Sequence, residues 1–273
     1  KIDAIVPVHR NDAHKLIEEC MLAANVSTAK FLEKHKLDGL FRVHKGPKPS
    51  KLENLRGFLG EMGLSLKGGD EPQPKHYQAL LSSIKDRPDA NLVQTVMLRS
   101  LSQAVYTPEN EGHFGLGYSA YAHFTSPIRR YPDLLVHRAI RSVIQSKQSS
   151  RYVKRITATQ KQPTSPWYPY STANIVVFGE HCSTAERRAD AAVWDVEGWL
   201  KCEYMQGHIG DYFYGTINAV TSFGLFVELE DVYVEGLVHI SALPGDYYHF
   251  DAPKHRLHGE RSGKSYRLGD IIE

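Results

Sequence analysis

Tyr121-Ala-His-Phe-Thr-Ser-Pro-Ile-Arg-Arg-Tyr-Pro-Asp-Leu-Leu-Val-His-Arg138 joins an aromatic segment to a basic helix start. Within it, Ala120–Thr125 alternates apolar and polar residues, the pattern of a half-buried strand. Ser126 then stands where an N-cap belongs, with Pro127 in the first-turn position that tolerates a missing N–H. A helix N-terminus presents free N–H groups and partial positive charge to an anion. Arg129 and Arg130 in that turn oppose the dipole, a cost that a bound anion would offset. A plain solvated arginine pair is the alternative. Pro132 opens another register, because a proline past the first turn removes a helix hydrogen bond. In that register the helix begins near Tyr131 and the arginines sit on the preceding loop.

The rest of the chain reads as helices first and strands afterwards. Ala13 to about Lys36 carries Ile17, Cys20, Met21, Ala24 and Phe31 on one stripe. Ser50-Lys-Leu-Glu53 has the form of a capping box opening a helix that ends at Gly63. Further helical patterns cover Pro74–Lys85 and Pro88–Val105, the second with Leu92, Val96 and Ala104 inward. The longest is expected to bury Phe178, Cys182, Ala185, Ala189, Ala192, Val196 and Trp199, turning Glu186, Arg187 and Asp190 away as an ion-pair face. After Gly207 the period becomes two: Tyr212–Ile217, Gly224–Leu229 and Tyr233–Val238 read as short strands. The fold class is therefore α+β, a helix-rich part with a mixed sheet followed by a small all-β barrel.

Bulk properties narrow the classes. A chain of 273 residues, 41% hydrophobic and 23% charged, has the composition of a globular protein with room for two cores. It has no apolar run of membrane-spanning length and no signal-peptide pattern, so no membrane partner is expected. Cys20, Cys182 and Cys202 are odd in number and widely spaced with no Cys-x-x-Cys pair, which argues against a disulfide framework or zinc site and fits a reducing cytoplasm; a monomer is expected. Net charge is +2, divided as +7 over residues 1–206 and −5 from Gly207 onward. No acid falls between Asp133 and Glu180, where seven lysines and arginines do. That one-signed stretch points to a polyanion partner, with a solvated linker as the plainer reading of Lys147–Tyr170.

With its neighbours Arg10-Asn-Asp-Ala-His-Lys-Leu-Ile-Glu-Glu-Cys-Met-Leu-Ala-Ala-Asn25 and Thr184-Ala-Glu-Arg-Arg-Ala-Asp190, the opening run resembles the RNase II/RNase R (RNB) exoribonuclease family. Phe223-Gly-Leu-Phe226 and Glu235-Gly-Leu-Val-His-Ile-Ser241 resemble an S1-type OB-fold RNA-binding domain. The resemblance implies residues 1–206 as the C-terminal part of an RNB catalytic domain and 207–273 as an S1-type domain that normally runs on through a final strand pair. It implies a processive 3′→5′ exoribonuclease that releases nucleoside 5′-monophosphates from single-stranded RNA, and structured RNA as a further substrate. Arg129 would meet the scissile phosphate, with Arg130 as the fallback. Tyr121, His123 and Ser126 would contact RNA beside it. Glu19 would accept a ribose hydroxyl, with Glu18 as its competitor, and Glu186 would hold the terminal nucleotide. Phe223, Phe226 and His239 match the S1 surface positions, although each taken alone reads as core rather than as a stacking platform.

The resemblance also implies magnesium held by closely spaced aspartates. No Asp-x-Asp occurs in this sequence, and the family places those aspartates upstream of Arg10. The chain is therefore expected to be a piece of the enzyme, inactive alone, with its metal ligands outside it. A non-catalytic RNA-binding module is the second hypothesis, and a purely structural interaction domain the third. The acidic balance after Gly207 favours base stacking over phosphate attraction there. Weaker patterns fall away. Gly117-Tyr-Ser-Ala-Tyr121 lacks the last glycine of a hydrolase elbow, Gly112-His-Phe-Gly115 is a lone Gly-x-x-Gly, and His249, His255 and His258 lack a zinc-site partner.

Overall fold

The computed structural model describes residues 2, 5–6, 10–87, 89–145, 168–230, 232–251 and 254–273. The basic Lys147–Tyr170 stretch lies outside them as far as residue 167. In chain order the elements are α1 (Asp12–His35), β1 (Phe41–Val43), α2 (Pro49–Glu61), α3 (Pro74–Ser83), α4 (Ala90–Ser100), β2 (Val105–Thr107), α5 (Tyr131–Gln145) and α6 (Thr172–Met205). The strands β3 (Gly215–Thr221), β4 (Gly224–Leu229), β5 (Glu235–His239), β6 (Tyr248–Asp251), β7 (Arg256–Gly259), β8 (Ser265–Arg267) and β9 (Ile271–Ile272) follow. By packing, these form two units. One holds residues 9–46 and 102–190, the other 1–8, 47–101 and 191–273.

In the first unit β1 and β2 form an antiparallel pair, with Arg42 opposite Tyr106. Ala29 and Leu32 of α1, Phe41 and Val43 of β1, and Val136 and Ala139 of α5 close a core around Ala120 and Ala122. The Asn11 side chain accepts from His14 N at 3.0 Å and starts α1, and Lys36 in the left-handed region ends it. The aromatic run 120–125 departs from its expected strand. Ala120, Tyr121 and Ala122 are all buried in succession, and one bond, Arg42 N to Tyr121 O at 2.8 Å, ties them to β1 without a ladder. Phe124 instead stacks on His137 of α5 at 4.1 Å, and its carbonyl lies 2.9 Å from His137 Nε2.

In the second unit α2 buries Leu52, Leu55, Phe58 and Leu59. Its start differs from the expected capping box. Pro49 occupies the first turn after Lys48, and no side chain caps it. Gly63, at φ 68°, closes the helix as expected. The next helical pattern runs shorter than the sequence implies: α4 stops at Ser100 and Val105 opens β2. Strands β5-β4-β3-β9 and β6-β7-β8 form two sheets around one core of Ile217, Leu225, Val227, Tyr248, Leu257 and Tyr266. Leu92 and Val96 of α4 pack against it. The first of these strands begins at Gly215 rather than Tyr212, and Tyr233, at φ 52°, precedes β5 rather than opening it.

The face of α6 is the main correction. Its buried residues are Ile175, Gly179 and Ser183. Phe178, Cys182 and Ala185 are half-buried, whereas Ala189, Ala192, Val196 and Trp199 are exposed. The apolar periodicity tracked side-chain size, but the helix is seated by its smallest residues. A Cβ on Gly179 would stand 2.6 Å from Tyr106 O, so only glycine permits this approach. Ser183 uses the closeness, donating to Gly179 O at 2.7 Å and accepting Tyr106 N at 2.9 Å.

Two substitutions in α6 separate packing from propensity. Gly179→Ala is expected to destabilise by about 1–3 kcal/mol through overpacking, despite the better helix propensity of alanine. Gly198→Ala, which meets nothing within 4 Å, is expected to stabilise by about 1 kcal/mol. Urea unfolding of both variants checks the opposite signs.

Candidate functional site

The turn that carries the two arginines is built by an acid in the next helix. Asp133 is fully buried in the first turn of α5. It accepts Ser126 N at 2.8 Å, Arg130 Nε at 2.9 Å and Arg130 Nη2 at 2.7 Å. The Ser126 carbonyl in turn accepts the amides of Arg129 and Arg130 at 3.3 and 3.0 Å. Ser126 is thus a turn residue rather than the helix N-cap, and the helix begins at Tyr131. Of the two registers open in the sequence, the one with the arginines on the preceding loop is observed. Arg130 is committed to Asp133. Arg129 is exposed, and its guanidinium has no hydrogen bond or ion pair to a described residue.

Opposite, Glu186 follows Gly179 and Ser183 along the seated stripe of α6. It points inward to a long-range partner, not into an intrahelical ion-pair face. Arg42 of β1 donates to Glu186 Oε2 at 2.6 Å, and its guanidinium lies 4.6 Å from the centre of the Tyr106 ring. The Tyr106 hydroxyl donates to Glu186 Oε1 at 3.4 Å and lies 2.8 Å from His123 Nδ1. A neutral imidazole with its hydrogen on Nδ1 satisfies that order. Burial raises the Tyr106 pKa, so its hydroxyl stays protonated. Burial, then the nearby Arg130 and Arg42, lowers His123 to about 3. Burial together with His44 lowers His113 to about 4. Both rings are therefore neutral at pH 7.

Arg129, Arg130, Tyr106, Phe178, Cys182 and Glu186 line one cavity of about 690 Å³. Among the described residues, Arg130 is paired with Asp133 and Glu186 with Arg42, while Arg129 and the exposed Asp190 at the cavity's edge carry no pair. That leaves one guanidinium facing a partly apolar space, an arrangement suited to an anion whose attached group rests against the walls.

The other expected residues fall elsewhere. Tyr121 is buried, its hydroxyl accepting Asn25 Nδ2 at 2.9 Å, while Asn25 Oδ1 accepts Phe124 N at 3.0 Å. Glu19 is exposed on α1 without a described partner, whereas its neighbour Glu18 is ion-paired to Arg10. Phe223, Phe226 and His239 belong to the other unit. There Phe223 and His239 are exposed and Phe226 is half-buried, with the two phenyl rings edge to face at 6.1 Å. The register pairs Gly224 with His239 and Phe226 with Leu237, which puts these side chains on the outer face of β4–β5. Sequence reasoning missed Arg42, Tyr106, Asn25 and Asp133. Asp133 and Asn25 stood inside the quoted runs, while Phe41-Arg-Val43, a charge between two apolar residues, was the one local sign of Arg42.

Comparison with known families adds to this geometry. The RNB domain model matches residues 1–146. The chain belongs to the RNB family. An S1 RNA binding domain model matches residues 208–273. Among curated RNB relatives, Ribonuclease R of Escherichia coli (strain K12) is 50% identical over the whole chain, which covers 33% of that protein. Ribonuclease R of Vibrio cholerae is 53% identical, again over the whole chain and 32% of the relative. The chain thus spans about a third of the length of the relatives it matches. Mycoplasma genitalium RNase R, solved in complex with ribose-methylated single-stranded RNA, superposes with a TM-score of 0.85 at 28% identity. That match covers 97% of this chain and 39% of the other.

Two outcomes are expected of this RNB site. Asp133→Ala removes the acceptor of three donors and strands Arg130, and should cost about 3–5 kcal/mol in urea unfolding. The histidines set a pH dependence. Their folded values lie below the ordinary 6.5, so between those limits the unfolded chain binds more protons. Their contribution to stability is full above about pH 6.5 and is lost as pH falls toward about 4 and then about 3. His123→Gln should flatten the fall of Tm across that window.

Proposed function

We propose that this chain is the part of an RNB exoribonuclease that grips the 3′ end of single-stranded RNA. The parent enzyme works processively from 3′ to 5′, hydrolyses phosphodiester bonds and releases nucleoside 5′-monophosphates in the cytoplasm as a monomer. The observation that carries the reading is the uncompensated Arg129 guanidinium facing Glu186 across one cavity. Arginine suits a phosphate through its planar fork of donors, and a donor aimed at developing charge lowers the barrier to cleavage. Glu186, held by Arg42 and Tyr106, offers carboxylate oxygens to the hydroxyls of the terminal nucleotide. Glu19, free on α1, is the ribose acceptor that favours RNA over DNA. Residues 1–206 act as the C-terminal part of the catalytic domain, and 207–273 as the S1-type domain, where bases stack on Phe223, Phe226 and His239.

Magnesium is the metal this reaction class uses to activate water. Among the described residues no group of three or more His, Cys, Asp or Glu side chains is placed to hold a metal. These donors do not fit a magnesium site. The same finding favours a second reading for the chain in isolation, a module that binds RNA without cutting it.

In the full-length protein, Arg129→Lys is expected to lower single-turnover cleavage of a labelled single-stranded RNA about a hundredfold or more, with affinity little changed. Equal loss of rate and affinity would contradict the role. The 273-residue chain, assayed with magnesium, should bind that RNA and leave it intact.

A further inference from the structure

The charge of residues 207–273 is sorted along the sequence. All five of its lysines and arginines lie between Lys254 and Arg267. Residues 207–253, which carry Phe223, Phe226 and His239, hold seven acids and no lysine or arginine. A stretch of that sign repels a phosphate backbone, so bases stacked there need cations elsewhere to hold their strand.

The fold gathers three of those cations. Leu257 of β7 and Tyr266 of β8 point into the core, so alternation sends Arg256 and Arg267 to the opposite face. The two are direct register partners. Like charges set opposite each other across strands are destabilising unless something negative answers them. Asp251, the partner of Arg256 on β6, answers one: Arg256 Nε donates to its Oδ2 at 3.1 Å. Among the described residues no acid is ion-paired with the other. Arg267 is exposed and uses its backbone N–H on Asp270, and its guanidinium makes no contact with a described acid or acceptor.

Arg256, Arg267 and Lys254 line a cavity of about 350 Å³ whose apolar side is Phe58 and Leu92 and whose one lining acid is Glu61. All of these belong to the same packing unit. An apolar wall lowers the local dielectric and strengthens an ionic contact beside it.

We propose that this cavity is a second RNA-contacting site, which takes backbone phosphates of a single strand through Arg267, Arg256 and Lys254. It divides the work of the S1-type segment, with bases on the acidic aromatic face and phosphates on the cationic corner. The proposal rests on the RNA-binding reading above, and one experiment separates the two. Binding of a labelled single-stranded oligouridylate to the full chain is followed by anisotropy across a salt series. Arg267→Gln and Arg256→Gln are each expected to weaken binding and to make the log–log salt dependence shallower by about 0.7. Arg267→Lys should keep the wild-type slope, and Phe226→Ala should weaken binding without changing it. Wild-type affinity and slope in Arg267→Gln would overturn the second site and leave the RNA-binding reading standing. Failure of the unaltered chain to bind would overturn both. Inorganic phosphate that displaces the oligonucleotide better than chloride at equal ionic strength would mark a small-anion pocket and overturn the strand assignment.

Discussion

The approach of α6 to the β2 strand at Gly179 is the constraint on which the site depends. Tyr106 sits in β2 with its amide turned toward the helix, and among the described residues β2 pairs with β1 alone. A buried backbone N–H left unpaired is costly, and the Ser183 hydroxyl accepts it at 2.9 Å. That contact is possible only because Gly179, one turn earlier, has no side chain. Once Gly179 and Ser183 are fixed, the helical period places Glu186 on the same stripe, where it meets Arg42. A helix rotated by one residue, about 100°, would lose the amide partner and the ion pair together. The cavity wall opposite Arg129 is thus a consequence of backbone packing, not of an attraction between functional groups.

Where contacts are local, the sequence was legible. The ends of α1, the glycine closing α2 and the turn to short strands after Gly207 all follow from residues within a turn or two of each other. The α6 face was misread because Ala185, Ala189, Ala192, Val196 and Trp199 at helical spacing look like a core stripe. The residues that seat the helix, Gly179 and Ser183, carry little hydrophobic signal. The run 120–125 was misread as a strand for a related reason. Its alternation is real, but Ala120 and Ala122 are small enough to be buried beside Tyr121 without a pleat, and the run is anchored by the stack of Phe124 on His137.

The candidate site divides in the same way. Arg129, Glu186 and Glu19 were singled out by resemblance, and no spacing rule would have chosen them over their neighbours. What the structure adds is the set of charges that leave Arg129 free. Asp133 binds Arg130 from three residues away, a separation visible in the run itself. Arg42 reaches Glu186 across 144 residues, which no local pattern encodes. A pair of adjacent arginines is chemically symmetric in the sequence. The buried carboxylate breaks that symmetry by holding one and leaving the other available.

The same logic extends to the β-rich segment. Its net charge of −5 argues against phosphate attraction only if charge is spread evenly. It is not: every lysine and arginine of the segment falls between Lys254 and Arg267, around β7–β8, while the stretch with the exposed rings carries acids and no lysine or arginine. Net charge sets the long-range field, but a strand lying on the surface meets individual side chains within a Debye length of about 8–10 Å at moderate salt. At that range a register that places Arg256 against Arg267 matters more than the total. Among the described residues Asp251 pairs with Arg256 and Glu61 shares the cavity, so three cations meet two acids there, an excess that an anionic ligand explains better than folding stability does.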